Sequence, residues 1–270
     1  MVVQHNLRAM NSNRQLGLTT TTQAKATEKL SSGYQINRAA DDAAGLSISE
    51  KMRRQVRGLT QAVKNAQDGV SMAQTAEGAL NEVHDMLQRM NELAVKGENG
   101  TLKSDDRNYI KSEVNQLMDE IDRVASTTTF NEQNLLDSDQ TFSLQVGAEN
   151  GQYIDVEIKS MNTSGLNLTQ MSADPGAGDF GNLNKDIKAA IKSVSEQRSD
   201  LGAVQNRLEH TMNNLNNVVE NTTSAESAIR DTDMATEMVK YSNNNILAQA
   251  GQAMLAQANQ ANQGVLSLLG

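Results

Sequence analysis

Apolar side chains recur with heptad spacing from Met52 to Ala94, and this pattern constrains the fold more than any other feature of the chain. The steps alternate between four and three residues, with one irregular step between Ala73 and Ala76. Such spacing keeps a narrow apolar stripe on one side of a helix, which is typical of coiled coils and helical bundles. The stripe therefore predicts one long helix, of roughly 65 Å, ended by the glycines at Gly97 to Gly100.

Two further heptad stripes predict partners for this helix. One runs from Ile110 to Val124, and the short connection before it favours an antiparallel neighbour. The other begins near Asn184 and repeats from Ile187 to Thr236, with the polar Gln197 as an interruption. The pattern predicts a last helix from about Met234 to Leu269.

A short β element is predicted between the second and third stripes. Apolar and polar residues alternate from Phe142 to Val146 and from Ile154 to Ile158, and Asn150-Gly151 predicts the turn of a β-hairpin. Residues 160–181, which contain the only proline, predict a loop. Aromatic residues make up only 3% of the chain, which suits thin helical layers. We therefore expect a mainly α fold: an elongated antiparallel helical bundle or coiled coil with a small β-hairpin.

Both ends of the chain are almost uncharged. Tyr241 to Gly270 contain no Asp, Glu, Lys or Arg, and Arg8 and Arg14 are the only such residues before Lys25, so the net charge of −9 arises in the middle. Leu7 to Leu30 and the tail both have helical patterns, but alone they bury too little to offset chain entropy. We expect them to become ordered by packing together or against other copies of the chain.

Several classes of function are disfavoured. The absence of cysteine excludes disulfides, Cys-ligated metals and thiol catalysis. His5, His84 and His210 lie far apart with no second ligand at metal spacing, and no nucleophile–base pattern is present, so we expect neither an enzyme nor a cofactor. Asp41-Asp42 favour helix capping over acid–base chemistry. The acidic charge argues against nucleic acid, and we expect no membrane insertion and no cleaved signal peptide.

Several runs of residues closely resemble bacterial flagellins. In chain order they are Leu30–Gly33, Ala40–Gly45, Gly58–Ala62, Asn65–Gly69, Ala76–Glu82, Leu255–Gln260 and Val265–Leu269. They occur in the family's order and cover both ends of the chain. The resemblance implies a structural subunit that polymerises into the extracellular flagellar filament for motility. Because the segment between the hairpin and the third stripe is short, the chain resembles a minimal flagellin without large outer domains.

The resemblance also implies a domain division and a set of partners. Residues 1–42 and 233–270 correspond to the family's inner D0 domain, and residues 43–181 and 182–232 to its D1 domain. The terminal helices would pair in the filament core through Leu7, Leu18, Ile246, Ala250, Met254, Ala258, Leu266 and Leu269. Expected partners are other copies of the chain, an export chaperone, the filament cap protein and hook–filament junction proteins. Export would use the flagellar type III apparatus.

A possible ligand role for Toll-like receptor 5 follows from the same resemblance. The family's contact motif corresponds to Gln88–Val95, with Arg89 and Leu93 as principal contacts and Glu113 as a third. Gln88 and Glu92 complete the expected receptor-binding set. Leu93 lies beside the apolar stripe rather than on it, so we expect it to be partly exposed.

Two rival interpretations remain open from the residues alone. A soluble coiled-coil adaptor or chaperone would share the heptad stripes but would not polymerise. A hook–filament junction protein would share the terminal pattern. The density of matches in both halves of the chain favours a flagellin.

Overall fold

The computed structural model describes residues 6–171 and 176–269, with side chains described up to residue 260. The helices are α1 (Leu7–Ser32), α2 (Ala43–Gly97), α3 (Ser104–Thr127), α4 (Ala177–Arg230) and α5 (Met234–Leu269). The strands are β1 (Thr129–Phe130), β2 (Gln133–Asn134), β3 (Gln140–Gln145) and β4 (Tyr153–Ile158). The prediction of a mainly α fold with a small hairpin is confirmed.

The chain divides into two compact units. The central unit is Arg57–Val219, and the terminal unit combines Met1–Val56 with Glu220–Gly270. The division falls inside α2 and α4 rather than at their ends. The four-part domain division expected from the sequence stays a prediction.

The heptad stripe forms the side of α2 that faces the core of the central unit. Asp42 caps this helix, because its Oδ1 accepts hydrogen bonds from the backbone N–H groups of Ala44 at 3.0 Å and Gly45 at 2.9 Å. The stripe residues in the second half of α2 are fully buried: Ala76, Leu80, Val83, Leu87, Met90 and Ala94. The predicted helix is therefore confirmed.

Helix α4 runs antiparallel to α2 in the central unit. Leu59 packs in one cluster with Leu215, Ala66 packs in another with Leu208, and Gly97 at the end of α2 lies beside Phe180. The predicted heptad residues of α4 are buried at Ile187, Val194, Leu201, Leu208 and Leu215. Helix α3 completes the core with Ile110, Val114, Met118 and Ile121.

Gln197, the polar residue in the α4 stripe, is buried and binds backbone of the hairpin. Its Nε2 donates to the carbonyl of Glu157 at 2.9 Å, and its Oε1 accepts from the N–H of Lys159 at 3.4 Å. A buried backbone group without a partner is costly, so a glutamine at this position stabilises the contact better than an apolar residue would. The interruption of the stripe marks where β4 meets α4.

The predicted β-hairpin is confirmed, and so is its turn at Asn150-Gly151. Strand β3 pairs antiparallel with β4, with Phe142 opposite Val156 and Leu144 opposite Ile154. The N–H of Val146 donates to the carbonyl of Gln152 at 3.0 Å just beyond the strands. Asn150-Gly151 form the turn within the connection 147–151, and Gly151 has a φ of 86°. Side-chain bonds from Gln145 Nε2 to the carbonyls within this connection, at 2.8 and 3.0 Å, stabilise it.

A two-residue turn connects β1 and β2. Phe130 pairs with Gln133, and the intervening Asn131 and Glu132 have φ of 49° and 65°. Positive φ at both central residues is the geometry of a type I′ hairpin turn. Sequence patterns did not predict this element, because glutamate is uncommon in the left-handed region.

The predicted loop at 160–181 is wrong at its end. Helix α4 begins at Ala177, and Phe180 and Leu183 on its first turns are buried. The glycines at 176–181 suggested a loop, but burial of the Phe180 ring outweighs their low helix propensity. Residues 172–175, including the proline, lie outside the described residues.

A second correction concerns the third stripe, which was predicted to continue to Thr236. Helix α4 ends at Arg230, and α5 begins at Met234. Asp233 begins the new helix, since its Oδ1 accepts from the N–H groups of Ala235 at 2.9 Å and Thr236 at 3.3 Å. An aspartate that caps the first turn of a helix can therefore place a helix boundary inside a continuous heptad pattern.

Candidate functional site

The terminal unit brings the two ends of the chain together as an antiparallel helix pair. Nδ2 of Asn6, before α1, donates to the carbonyl of Ala258 in α5 at 3.1 Å. At the other end of the pair, the N–H of Thr232 donates to the carbonyl of Gly33 at 3.0 Å. The pairing of α1 with α5 therefore extends from Asn6 to Gly33.

Small side chains allow a close approach of α1 and α5. Cα atoms of the two helices come within 8 Å of one another at many positions along the pair. Among the described residues, no other pair of helices has as many positions with such short Cα–Cα distances. Ala26 and Ala248 are buried, and Leu16 packs directly against Gly251. Close backbone approach leaves little apolar area between the helices, so the pair buries few large side chains.

The threonine tract of α1 has internally bonded hydroxyl groups. Oγ1 of Thr21 and of Thr22 donate to carbonyls one turn earlier, at 2.8 and 2.9 Å. Thr19 makes the same bond at 3.0 Å. Because the hydroxyls already have partners, this surface can be covered without leaving unpaired donors.

Large apolar side chains project outward from both terminal helices. Exposed fractions reach 66% for Leu7 and 64% for Ile246. The same group contains Met10, Leu18, Met234, Met238, Val239, Leu247 and Met254. Among the described residues, the central unit adds only Val95, Tyr109 and Tyr153 to the exposed large apolar side chains. We call this set on α1 and α5 the terminal apolar surface.

The expected filament-core residues lie on this surface rather than between the two helices. Leu7, Leu18, Ile246, Ala250 and Met254 are exposed, and Ala258 is half-buried. Leu266 and Leu269 belong to α5, but their side chains lie outside the described residues. Helix α5 turns the side with Ala248 and Gly251 toward α1, so its other side is left for a different contact.

A cluster of three side chains holds the connections of the terminal unit. Nη1 of Arg230 donates to Oε1 of Glu50 at 2.7 Å, and the guanidinium lies 4.8 Å from the centre of the Tyr34 ring. The carbonyl of Arg230 also accepts from the N–H of Gln35 at 2.7 Å. We call Tyr34, Glu50 and Arg230 the junction cluster. The sequence analysis missed it, although a lone arginine before the capping run Asp231-Thr232-Asp233 was a signal.

The junction cluster changes the acidity of its carboxylate. The hydrogen bond from Arg230 lowers the pKa of Glu50 below its ordinary value, and Arg53 adds a smaller attraction. Glu50 is thus held as a carboxylate between two arginines. A charge pair of this kind, with an aromatic face beside it, orders long side chains that would otherwise be mobile.

Three of the expected receptor-binding residues, Arg89, Glu92 and Glu113, meet on the surface of the central unit. Arg89 donates to Oε1 of Glu113 from Nε at 3.1 Å and from Nη2 at 2.9 Å, and Nη1 donates to Oε2 of Glu92 at 3.0 Å. These contacts raise the pKa of Arg89, chiefly through Glu113. Nε2 of Gln88 lies 2.9 Å from Nε2 of His84, and the side chain of Gln88 is exposed. Arg89, Glu92 and Glu113 form the arginine cluster.

Leu93 does not have the exposure expected of it. Its exposed fraction is 3%, and it belongs to the main core cluster. Leu93 follows Met90 by one helical turn, and packing against α2's neighbours covers both residues. The expectation of partial exposure was therefore wrong, whereas the receptor role of the set stays a prediction.

The described residues offer little for a metal site, an enclosed binding cavity or a membrane span. Across residues 6–171 and 176–269, no group of three or more His, Asp or Glu side chains is arranged to hold a metal ion. An open cleft in the central unit is lined by residues that include Asp137, Asp139, Lys159 and Asp200, and no histidine lines it. Among the described helices, none combines the length and apolarity needed to cross a membrane.

Comparison with models of protein families shows to which family the chain belongs. The model of the bacterial flagellin N-terminal helical region matches residues 3–141, and the model of the C-terminal helical region matches residues 185–269. The chain belongs to the bacterial flagellin family. The resemblance found from the sequence runs is thus confirmed.

Full-length relatives agree with this membership. The chain is 53% identical to a flagellin of Halalkalibacterium halodurans and 46% identical to a flagellin of Bacillus subtilis, and each alignment covers 100% of both chains. It is 47% identical, with the same coverage, to the flagellar filament 31.3 kDa core protein of Treponema maltophilum. The crystal structure of Bacillus cereus flagellin aligns with a TM-score of 0.48 at 28% identity, covering 56% of this chain and 88% of that one.

Proposed function

We propose that this flagellin polymerises into the flagellar filament through its terminal apolar surface, and that the filament serves motility. The observation that supports the proposal most is the outward display of apolar side chains from two almost uncharged helices. Exposed apolar patches of this extent mark protein–protein contacts. The α1–α5 pair would lie in the filament core, where neighbouring copies would cover Leu7, Leu18 and Ile246.

The geometry of the contact follows from the kind of surface. A terminal surface that meets a different surface on the next copy forms a heterologous contact, and such contacts generate open helical fibres when they do not close. Ordering the weakly packed α1–α5 pair at the moment of incorporation would cost conformational entropy. This cost would disfavour polymerisation of dilute subunits.

The proposed partners follow from family membership. An export chaperone would bind the C-terminal segment before export, and the type III apparatus would carry the chain out of the cell. The filament cap protein and hook–filament junction proteins would contact the same terminal helices during growth. Mature subunits would be extracellular, in the flagellum.

Introducing a charge into the terminal apolar surface tests the proposal. Ile246 is exposed in the single chain, so Ile246→Asp should leave the folded subunit intact while placing an unpaired charge in the subunit contact. We expect polymer yield in sedimentation to fall at least tenfold. This corresponds to a loss of about 1.4 kcal/mol or more in the free energy of subunit association. Lys192→Ala makes the same change in net charge at an exposed side chain paired only with Glu196 at 3.6 Å, and it should polymerise normally.

The result also separates the rival interpretation. Electron micrographs of the unmodified protein at high concentration should show long uniform filaments. If they show none, the chain acts as a soluble coiled-coil protein and the proposal is wrong. If Ile246→Asp and Lys192→Ala give equal polymer yields, polymerisation does not use this surface.

A second proposed role is recognition by Toll-like receptor 5. It is supported by the arginine cluster, where Glu113 and Glu92 hold Arg89 in one orientation on an exposed surface. A held guanidinium loses less side-chain entropy when it binds. Because Leu93 is buried, we propose that it positions this part of α2 and contacts the receptor only if the helix surface rearranges.

Two substitutions distinguish contact from positioning. Arg89→Ala should weaken receptor binding with little change in thermal unfolding, since Arg89 is an exposed side chain. Leu93→Ala should lower the free energy of unfolding by about 2–5 kcal/mol, as expected for truncation of a buried leucine. Unchanged receptor affinity for Arg89→Ala, measured by surface plasmon resonance, would remove the assignment.

A further inference from the structure

Every exposed methionine among the described side chains of this flagellin lies on the two terminal helices. Met10 on α1 and Met234, Met238 and Met254 on α5 have exposed fractions between 49% and 62%. The other methionines with described side chains are buried or half-buried: Met52, Met72, Met86, Met90, Met118, Met161, Met171 and Met212. The sulfur atoms most accessible to solvent are therefore on the terminal apolar surface.

Methionine sulfur reacts with peroxides by a two-electron oxygen transfer. The thioether sulfur attacks one peroxide oxygen, the O–O bond breaks, and a sulfoxide S–O bond forms. With hydrogen peroxide, the departing hydroxide takes up a proton and leaves as water, so sulfur is oxidised and peroxide is reduced. The chain has no cysteine, so no thiol of its own competes for the oxidant. Exposed methionines should react first, because access controls the rate.

We propose that Met10, Met234, Met238 and Met254 form a peroxide-sensitive modification site that controls entry of the subunit into a filament. The inference rests on the proposed polymerisation through the terminal apolar surface. Oxidation converts a flexible apolar side chain into a polar one and disrupts methionine-rich contacts. A sulfoxide buried between copies without a partner would oppose assembly.

The surroundings of Met234 and Met238 support this effect. The two side chains line an open groove of about 380 Å³ between α1 and α5, together with Leu30 and Tyr241. Thr27 and Ser31 complete the lining. Little polar surface is available there to satisfy a sulfoxide oxygen, so a neighbour that fills the groove would fit the thioether and reject the sulfoxide.

The modification acts on the subunit before it is incorporated. In a filament built through the terminal apolar surface, neighbouring copies would shield these sulfur atoms from peroxide. The site would therefore record the oxidant exposure of subunits that are not yet assembled. Because sulfoxides are reducible, methionine sulfoxide reductases could restore a subunit that has been excluded.

A sorting experiment tests the inference on the unmodified chain. Purified monomer is partly oxidised with hydrogen peroxide, the peroxide is removed, and polymerisation is started. Polymer and supernatant are separated by sedimentation, and sulfoxide at each methionine is quantified by peptide mass spectrometry. We expect sulfoxide at the four proposed positions to be depleted at least threefold in the polymer. Sulfoxide at Met52, Met86, Met171 and Met212 should be distributed equally, which provides an internal control.

Each outcome is decisive. If untreated protein does not polymerise, the proposed function fails and this inference fails with it. If untreated protein polymerises and sulfoxide at the four positions is distributed equally, only this inference is overturned. Treatment of the supernatant with a pair of methionine sulfoxide reductases, one for each epimer, should return it to the polymer. Continued exclusion after complete reduction would also overturn the inference.

Leucine variants provide a second measurement. The fourfold variant Met10→Leu, Met234→Leu, Met238→Leu and Met254→Leu keeps apolar volume and cannot form sulfoxide at these positions. Relative to its own untreated polymer yield, it should lose little after a peroxide dose that abolishes polymerisation of the unmodified chain. The control carries leucine at Met52, Met86, Met171 and Met212 and should remain sensitive. Equal sensitivity of the two variants would overturn the inference, and if the fourfold variant does not polymerise untreated, the sorting experiment decides.

Discussion

Arg230 at the end of α4 donates a 2.7 Å hydrogen bond to Glu50 in the first turns of α2, although 180 positions separate them in the chain. The bond joins the end of α4 to α2, beside the connection from α1 to α2 and the connection from α4 to α5. The Tyr34 ring covers the guanidinium from the first of these connections, and backbone bonds between Gln35 and Arg230 and between Thr232 and Gly33 run alongside. Two connections that lack helical hydrogen bonds are thus ordered by one side chain.

Replacing this arginine should loosen both connections. In Arg230→Ala, we expect faster amide exchange at Gln35 and Thr232, whose N–H groups bond across the junction. Arg53→Ala is the matched control, because Arg53 pairs with the same carboxylate at 3.2 Å but is more exposed. Hydrogen–deuterium exchange of the two variants measures the difference. Similar exchange in both variants would show that Arg230 does not order the junction.

Acid should destabilise the terminal unit, because the pKa values of three of its carboxylates are lowered in the folded chain. The Arg230 bond lowers the pKa of Glu50, the Arg38 backbone lowers the pKa of Asp41, and bonds from Thr236 lower the pKa of Asp233. A lowered folded-state pKa gives stabilisation that is fully present above the ordinary values of 3.8 and 4.5. It is lost as the pH falls through the folded-state values.

Helicity of the terminal unit should therefore be constant from neutral pH down to about pH 5 and decrease below about pH 4. Far-UV circular dichroism and amide exchange against pH measure this. Asp233→Asn should weaken the α5 cap at neutral pH and reduce the change in acid. Asp68→Asn, at an exposed position on α2, is the control. A profile that is flat to pH 2 in the unmodified protein would contradict the expectation.

Gly97 should not tolerate a side chain. A Cβ atom there would lie 2.5 Å from Cδ1 and 2.6 Å from Cε1 of Phe180, whose ring is fully buried. Gly97→Ala should therefore destabilise the central unit by about 1–3 kcal/mol, because the ring has little room to move. Gly78→Ala is the control, since apart from its neighbours in the chain and the adjacent backbone of α2 no atom lies within 4 Å of the new methyl group. It should stabilise α2 by about 0.5–1 kcal/mol in urea unfolding.

Asp122 should fix the segment that follows the hairpin. Its carboxylate accepts hydrogen bonds from the N–H of Thr163 at 2.8 Å and from Oγ1 of the same residue at 2.8 and 2.9 Å. Asp122→Ala should lower the free energy of unfolding by about 1–3 kcal/mol. Asp119→Ala removes only a 3.5 Å contact with Gln170 and should have a much smaller effect. Equal urea midpoints for the two variants would show that the Thr163 bonds contribute nothing.

Periodicity predicted the helices of the central unit well, because burial of a stripe determines where a helix must face. Leu80, Leu87 and Leu201 lie where the heptads placed them. The turn of the hairpin was also predictable, since Asn-Gly suits a tight turn and Gly151 has a φ of 86°. The I′ turn at Asn131-Glu132 was not predictable from residue preference, because the pairing of β1 with β2 imposes its backbone.

The candidate sites also differ in how far the sequence predicted them. The low charge of the two ends predicted an assembly surface, and exposure of Leu7 and Ile246 agrees with that expectation without testing it. The burial of Leu93 could not be predicted from a single stripe, because α2 is covered on more than one side in the central unit. The junction cluster depends on residues from both halves of the chain, so the local signal at Arg230 could not identify its partners.

The contact between Asn6 and Ala258 has a practical consequence for imaging and labelling. A fluorophore attached near the beginning of α1 would sit beside α5, so a dye there would disturb both helices at once. The exposed connection at Asn150-Gly151 belongs to the central unit rather than to the terminal unit. An epitope or dye inserted there should report on living filaments with the least interference to their growth.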